Sequence, residues 1–270
     1  MDSGRKIRVG AVNYLNTKPL IYQLEQLAPQ AQIVLDLPSR LADALAVGQL
    51  DVALIPSIEF CRDPSYTIVS DACIACRGPV MSVKLFCRVS PERIGTLALD
   101  EGSRTSAVLA QVLLYERYGL RPRLESLPVG CTLADSAADA VLLIGDRAIH
   151  SPRGPFAAVW DLGDEWRRWS KLPFVFAMWV ARSGVNLAGV DGALSEARDL
   201  GLRRLDEIAD AEAASLGLSR PQCLSYLRDY LHFTLGPQEL SGLERYYQLA
   251  AKLGLAPTGV ELDFYHCKSA

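Results

Sequence analysis

The chain has little of what most catalytic and cofactor-binding signatures require. Of its 270 residues only three are histidine, His150, His232 and His266, and none lies near the polar turns considered below. It has no Gly-x-Gly-x-x-Gly, no phosphate-cradling P-loop and no Gly-x-Ser-x-Gly elbow, which argues against a nucleotide enzyme and a serine hydrolase. No apolar run approaches the roughly 18 residues of a membrane span. There is no basic block either: 28 Lys and Arg stand against 31 Asp and Glu, a net charge of −3. Clustered cations are what phosphate backbones and anionic membranes select, so neither nucleic acid nor membrane is an expected partner. The opening MDSGRKIRVGAVNYLN has no apolar segment long enough for an export signal, so a soluble, cytoplasmic protein is expected.

Cysteine is dispersed rather than dense. The seven, Cys61, Cys73, Cys76, Cys87, Cys131, Cys223 and Cys267, are an odd number without scaffold spacing, so reduced thiols are expected. Cys73-Ile74-Ala75-Cys76 has the spacing of a redox or zinc pair. It lies inside a strand-like run with no second pair and no nearby His, so these cysteines read as small buried apolar residues. Zinc or disulfide chemistry is therefore not expected of this pair.

Half the residues are hydrophobic and 22% are charged, the balance of a globular chain with a core. The length suits two lobes or one large α/β domain. Ile7 to Val12 reads as a strand, followed by a polar turn and a helical pattern resuming near Leu20. Gln32 to Leu35 is a second strand. Pro38-Ser39 opens a helix running through Val47, with Ser39 as its cap and Gly48 as its stop, and Asp51 to Ile55 is a buried strand. Such a βαβαβ unit implies a parallel sheet with ligands at the carboxyl ends of its strands. TIVSDACIAC and VMSVKLFCRV are strand-like runs joined by Arg77-Gly78-Pro79. The grammar then repeats: strand to Leu99, helix from Thr105 to Tyr118, strand Arg123 to Leu127, strand Ala140 to Ile144. Beyond Phe174 to Ala181, helical spacing covers Asp191 to Leu216, Pro221 to Leu231 and Pro237 to Leu253. Two α/β lobes are expected, with the chain crossing near Val89 to Arg93 and near Pro173 to Val180. The expected division is lobe I, residues 1–90 and 178–270, and lobe II, residues 91–177, with a cleft and a two-strand hinge between them.

Polar residues gather at strand-to-helix turns. Asn13-Tyr14-Leu15-Asn16-Thr17-Lys18 follows the first strand, and Asp100-Glu101-Gly102-Ser103-Arg104-Thr105-Ser106 opens a helix in the second block. Each reads either as plain helix capping or as an anion site built from free N–H groups, with Arg104 able to fork onto a carboxylate. Ser57 ends the third strand, Ser82 sits in Gly78-Pro79-Val80-Met81-Ser82-Val83, and Gly145-Asp146 follows the run AVLLI.

Taken together and in this order, VNYLNTKPL, PSRLADALAVGQLDVALIPSIEF, GPVMSVKLF, LDEGSRTSAVL and LLIGDRAI resemble the MqnA family, chorismate dehydratases of the futalosine route to menaquinone. The resemblance spans nearly the whole chain and is least distinctive in the helical C-terminal third. It implies an α/β fold like a type II periplasmic binding protein, used as an enzyme. The implied reaction converts chorismate to 3-[(1-carboxyvinyl)oxy]benzoate and water without metal or organic cofactor. It also implies Asn16 and Ser82 as catalytic or orienting residues. Asn13, Tyr14, Thr17, Ser57, Ser103, Arg104, Thr105, Gly145 and Asp146 are implied as substrate contacts. No oligomeric state follows from it. A 1,4-dihydroxy-6-naphthoate synthase of the same fold, which usually opens on a Ser-Pro-Cys-Pro-Asn-Asp type of turn, is the closest alternative. A non-catalytic binder of small anions is the other.

Overall fold

In a computed structural model, residues 5–150 and 154–265 are described; His266 and Cys267 lie outside them. Eleven strands form two sheets among the described residues. In chain order they are β1 (Ile7–Val12), β2 (Ala31–Asp36), β3 (Val52–Pro56), β4 (Tyr66–Cys76), β5 (Val83–Cys87) and β6 (Thr96–Asp100). Then come β7 (Arg123–Leu127), β8 (Ala140–Ile144), β9 (Ala158–Asp161), β10 (Phe174–Arg182) and β11 (His232–Thr234). The α-helices are α1 (Leu24–Leu27), α2 (Pro38–Ala46), α3 (Ser57–Phe60), α4 (Thr105–Tyr118) and α5 (Asp146–Ile149). The remaining five are α6 (Leu162–Ser170), α7 (Val190–Arg203), α8 (Leu205–Glu212), α9 (Arg220–Ser225) and α10 (Pro237–Lys252).

The first sheet runs β11-β4-β10-β3-β1-β2 and the second β7-β6-β8-β5-β9. In the first, β1 is parallel to both β2 and β3. In the second, β6 is parallel to both β7 and β8. The parallel cores are the two βαβ repeats read from the sequence. The inner strands β3 and β8 are buried at every position, as parallel strands covered on both faces are, whereas the edge strands β2 and β7 carry polar, exposed residues. The antiparallel members β4, β5 and β10 carry the chain between the sheets.

The first crossing falls earlier than the sequence suggested, and the second falls within the expected stretch from Pro173 to Val180. β5 pairs with β8 and β9, so the chain has entered the second lobe by residue 83 rather than after residue 90. All of β10 pairs with β3 and β4, so it has returned by residue 174 rather than at 178. Continuous apolar runs mask such a boundary, because a strand reads the same whichever sheet it joins.

Three helical expectations differ in detail. Leu15–Ile21 is a 3-10 stretch containing Pro19, not an α-helix beginning near Leu20. Pro19 lacks the N–H that an α-helical ladder would use. This stretch packs on α7 at Gly201, where an added Cβ would lie 2.2 Å from the Pro19 carbonyl oxygen. Ser39 does not cap α2: Leu37 is the N-cap and Pro38 takes the first turn. The Asp191–Leu216 helix is broken at Arg204 into α7 and α8, and the Pro221–Leu231 helix ends in a π-helical turn over Tyr226–Tyr230.

Candidate functional site

A cleft lies between the sheets, at the carboxyl ends of the parallel strands. β1 delivers Val12, Tyr14 and Asn16 to its wall, β2 is followed there by Pro38, and β3 ends there at Pro56. From the second lobe, the loop after β6 brings Gly102, Ser103 and Arg104 and the start of α4 brings Thr105 and Ser106; β8 ends there at Ile144 and Gly145. Ile74 of β4, Val80, Ser82 and Val83 of the first crossing, and Phe176 and Ala177 of the second complete the lining. Atom-free space in it, the open mouth included, amounts to about 530 Å³. Both lobes therefore contribute the polar turns singled out in the sequence, and apolar side chains separate them.

Of the expected site residues, Tyr14, Asn16, Ser82, Ser103, Arg104, Thr105 and Gly145 line this cleft. Tyr14 lays its ring on Gly145, whose φ of +70° and ψ of −157° suit only glycine. Burial first, then the nearby Asp100, pushes the Tyr14 phenol up to about 12, so it enters neutral solution as a hydrogen-bond donor. The first turn of α4 presents N–H groups without intrahelical partners to the cleft, with Ser103, Thr105 and Ser106 around them. Behind the loop, the buried Asp100 accepts from Gly102 N at 3.0 Å, from Ile144 N at 3.3 Å and from Arg147 at 2.6 Å, fixing the loop to the end of β8.

Four expected contacts are used otherwise. Asn13 is exposed and Thr17 wholly buried, and neither is among the lining residues. Ser57 sits behind the wall. Its hydroxyl donates to the Val175 carbonyl at 2.8 Å, its oxygen is 3.4 Å from the Thr105 hydroxyl, and Tyr247 donates to its carbonyl at 2.5 Å. Asp146 accepts the Leu15 N–H at 3.3 Å, so a second-lobe carboxylate caps the first turn of the first lobe.

Arg104 lines the cleft, but its fork is engaged. It donates to Glu59 at 2.8 Å and to both oxygens of Asp43 at 2.7 and 2.8 Å. These pairs, with Ser57–Thr105 and Leu15–Asp146, join the two lobes.

Two residues escaped the sequence reading. Asp161 accepts four backbone N–H groups: Gly163 and Asp164 at the start of α6, and Val80 and Met81 beside Ser82. It holds Met81 at a φ of +67°, a strained value for a residue with a side chain. An Asp opening a helix is visible in sequence, but its reach of eighty residues is not. Tyr226 donates to the Ser82 hydroxyl at 2.8 Å from the π-helical turn; nothing local distinguishes it from a core aromatic.

Among the described residues the cleft wall carries no His, Lys, Asp or Glu. Lys18, the one base-capable residue in the first polar turn, pairs with Glu212 at 2.9 Å away from the wall. No group of three or more His, Cys, Asp or Glu is placed to hold a metal ion among the described residues. Cys73 and Cys76 are buried, and burial raises both thiols above their ordinary range.

Fold and cleft together define a two-lobed α/β protein with the fold of the type II periplasmic binding proteins, polar turns from both lobes facing one cleft. The likeness to solved structures carries the same fold. Protein AF1704 of Archaeoglobus fulgidus superposes with a TM-score of 0.76 at 18% identity, covering 94% of this chain and 99% of that one. The periplasmic aliphatic sulphonate binding protein SsuA of Escherichia coli gives 0.64 at 18% identity, covering 99% and 96%.

Residues 7–252 match the family model described as menaquinone biosynthesis, and the chain belongs to that family. It is 34% identical over 265 residues to the chorismate dehydratase of Thermus thermophilus, covering 92% of this chain and 95% of that protein.

Proposed function

We propose that this chain is a chorismate dehydratase, a hydro-lyase of menaquinone biosynthesis, acting at the interlobe cleft. Membership of the menaquinone family and the relationship to the Thermus enzyme support the reaction. The observation that carries the site is the convergence of Asn16, Ser82 and the Ser103–Ser106 turn on one small cleft. We place the reaction in the cytoplasm and in the futalosine route, where a soluble intermediate would be handled. No helix among the described residues is long and apolar enough to cross a membrane.

The chemistry suits a polar wall without a strong base. Chorismate loses the ring proton at the carbon bearing the enol ether and the hydroxyl on the neighbouring carbon. The C–H pair becomes the new ring double bond as the C–O bond breaks, and the ring becomes aromatic. Aromatisation supplies the driving force, so the protein has to orient the dianion, stabilise developing charge and direct the departing hydroxyl. The α4 N–H groups and the hydroxyls of Ser103, Thr105 and Ser106 receive a carboxylate. Arg104, held by Glu59 and Asp43, lines the edge of the cleft. Asn16 and Ser82 face the reacting edge of the ring. In this reading the enolpyruvyl carboxylate of the substrate itself takes the ring proton, since the lining offers no carboxylate or imidazole and Lys18 is held by Glu212.

The test follows chorismate by its ultraviolet spectrum with the wild-type chain and with Asn16→Ala and Ser82→Ala. Conversion to a substituted benzoate, with turnover lost by about 10²-fold or more in either variant, is the expected result for groups that act on developing charge. Unchanged chorismate accompanied by a thermal shift would make the protein a binder and overturn the dehydratase reading. A substrate analogue lacking the enolpyruvyl carboxylate, turned over at full rate, would overturn the substrate-assisted step alone.

A further inference from the structure

We infer that Tyr226 is a positioning residue of this site, one that aims the Ser82 hydroxyl into the cleft without touching the ligand. The inference rests on the reading of Asn16 and Ser82 given above. Tyr226 is completely buried and is not among the cleft-lining residues. It stands directly behind one that is: its hydroxyl donates to Ser82 Oγ at 2.8 Å. Ser82 belongs to the crossing between lobes, so the phenol braces that crossing.

The direction of the proton follows from the chemistry of each group. Burial pushes the Tyr226 phenol well above its ordinary range and outweighs the opposing pull of Ser82 and Asn16, so the phenol stays protonated and donates. Ser82 Oγ therefore accepts, and its own hydrogen needs another acceptor. Within the protein that acceptor is the Val80 carbonyl at 3.5 Å, beyond the roughly 2.5–3.0 Å of a sound O–H···O bond. The cleft is the remaining direction, and Ser82, only 1% exposed, opens onto it. Tyr226 thus makes Ser82 a donor toward bound ligand. Its position in a π-helical turn, five residues from Tyr226 to Tyr230, suits this role: such widened turns re-aim side chains and recur at functional sites.

The experiment is Tyr226→Phe, which keeps the ring and removes the hydroxyl, assayed alone and combined with Ser82→Ala. A misaimed donor weakens interactions realised mainly in the transition state, so kcat should fall about 10- to 100-fold while KM changes by less than about threefold. In the Ser82→Ala background the same substitution should cost less than about twofold, since the group it aims is gone. An unchanged kcat, or an equal loss in both backgrounds, would overturn the inference and leave Tyr226 a structural residue. Should Tyr226→Phe not fold, 3,5-difluorotyrosine at position 226 keeps the hydroxyl and lowers its pKa. The alkaline limb of kcat should then move to lower pH, and an unmoved limb overturns the inference. A wild-type chain inert toward chorismate would overturn the dehydratase reading instead. Tyr226 would then be decided on ligand-free protein, where Ser82→Ala must move the Tyr226 ¹³Cζ resonance, and an unmoved resonance refutes the contact.

Discussion

Replacing Gly145 by alanine should damage the fold and the cleft together, and the structure divides the cost into two parts. The first is backbone. At φ +70° and ψ −157° residue 145 occupies a region that residues with a side chain avoid, at a cost of about 1–3 kcal/mol. The second is steric. A Cβ at this position would stand 2.8–3.0 Å from three carbons of the Tyr14 ring, where carbon contacts prefer about 3.5–4.0 Å. Overpacking of this kind costs about 1–3 kcal/mol, so the sum is about 2–6 kcal/mol. For a chain of this size that corresponds to a midpoint lowered by roughly 5–20 °C. Urea and thermal unfolding of Gly145→Ala measure the sum, and repetition in a Tyr14→Ala background isolates the second part, which should vanish there. Tyr14 lines the cleft, so its displaced ring should also weaken ligand binding. A single variant within about 0.5 kcal/mol of wild type would refute the reasoning, as would an equal cost with and without the Tyr14 ring.

Three further outcomes are expected. Asp161→Ala strands four N–H groups, two of them holding the Met81 turn, and should cost about 3 kcal/mol by urea unfolding, with kcat falling because Ser82 follows that turn. Burial, ahead of the opposing Leu15 N–H bond, raises Asp146 above the ordinary carboxylate range. The native state then holds its proton more tightly than the unfolded chain, a contribution complete below the ordinary value of 3.8 and lost as pH rises through the native one. Unfolding of wild type against Asp146→Asn across the acid range should therefore show wild type losing ground as pH rises, and the opposite slope would refute the assignment. In a Cys267→Ser background, native protein should react with a thiol reagent first at Cys131. The other described cysteines are buried, and burial pushes Cys61 and Cys87 up to about 12 and Cys223 to about 11. Fast labelling of more than one thiol would count against the packing described.

Much of the architecture was legible because its signals are local. Apolar β-branched runs bounded by Gly, Pro and Asn gave β1, β3, β6 and β8, and the helical spacing gave α4 and α10. The polar turns after β1 and β6 were visible as ligand-facing positions only through the rule that parallel strands present ligands at their carboxyl ends. Other residues have partners far along the chain, where no local pattern shows them. Arg104 has the chemistry of a carboxylate fork, and it does fork, onto Asp43 and Glu59 of the other lobe. Ser57 has the hydroxyl of a ligand contact but donates it to Val175, 118 residues away.

The sequence by itself determined the two βαβ repeats, the polar turns at their strand ends and the family to which the chain belongs, since each is written in short stretches of neighbouring residues. Tertiary structure alone decided where the chain crosses between sheets, which hydroxyls face the cleft and which support it from behind. The physical reason is that hydrogen bonds are directional and satisfied at a distance. Whether Ser82 donates to a ligand depends on Tyr226, 144 residues further along, and no periodicity in either segment records that meeting.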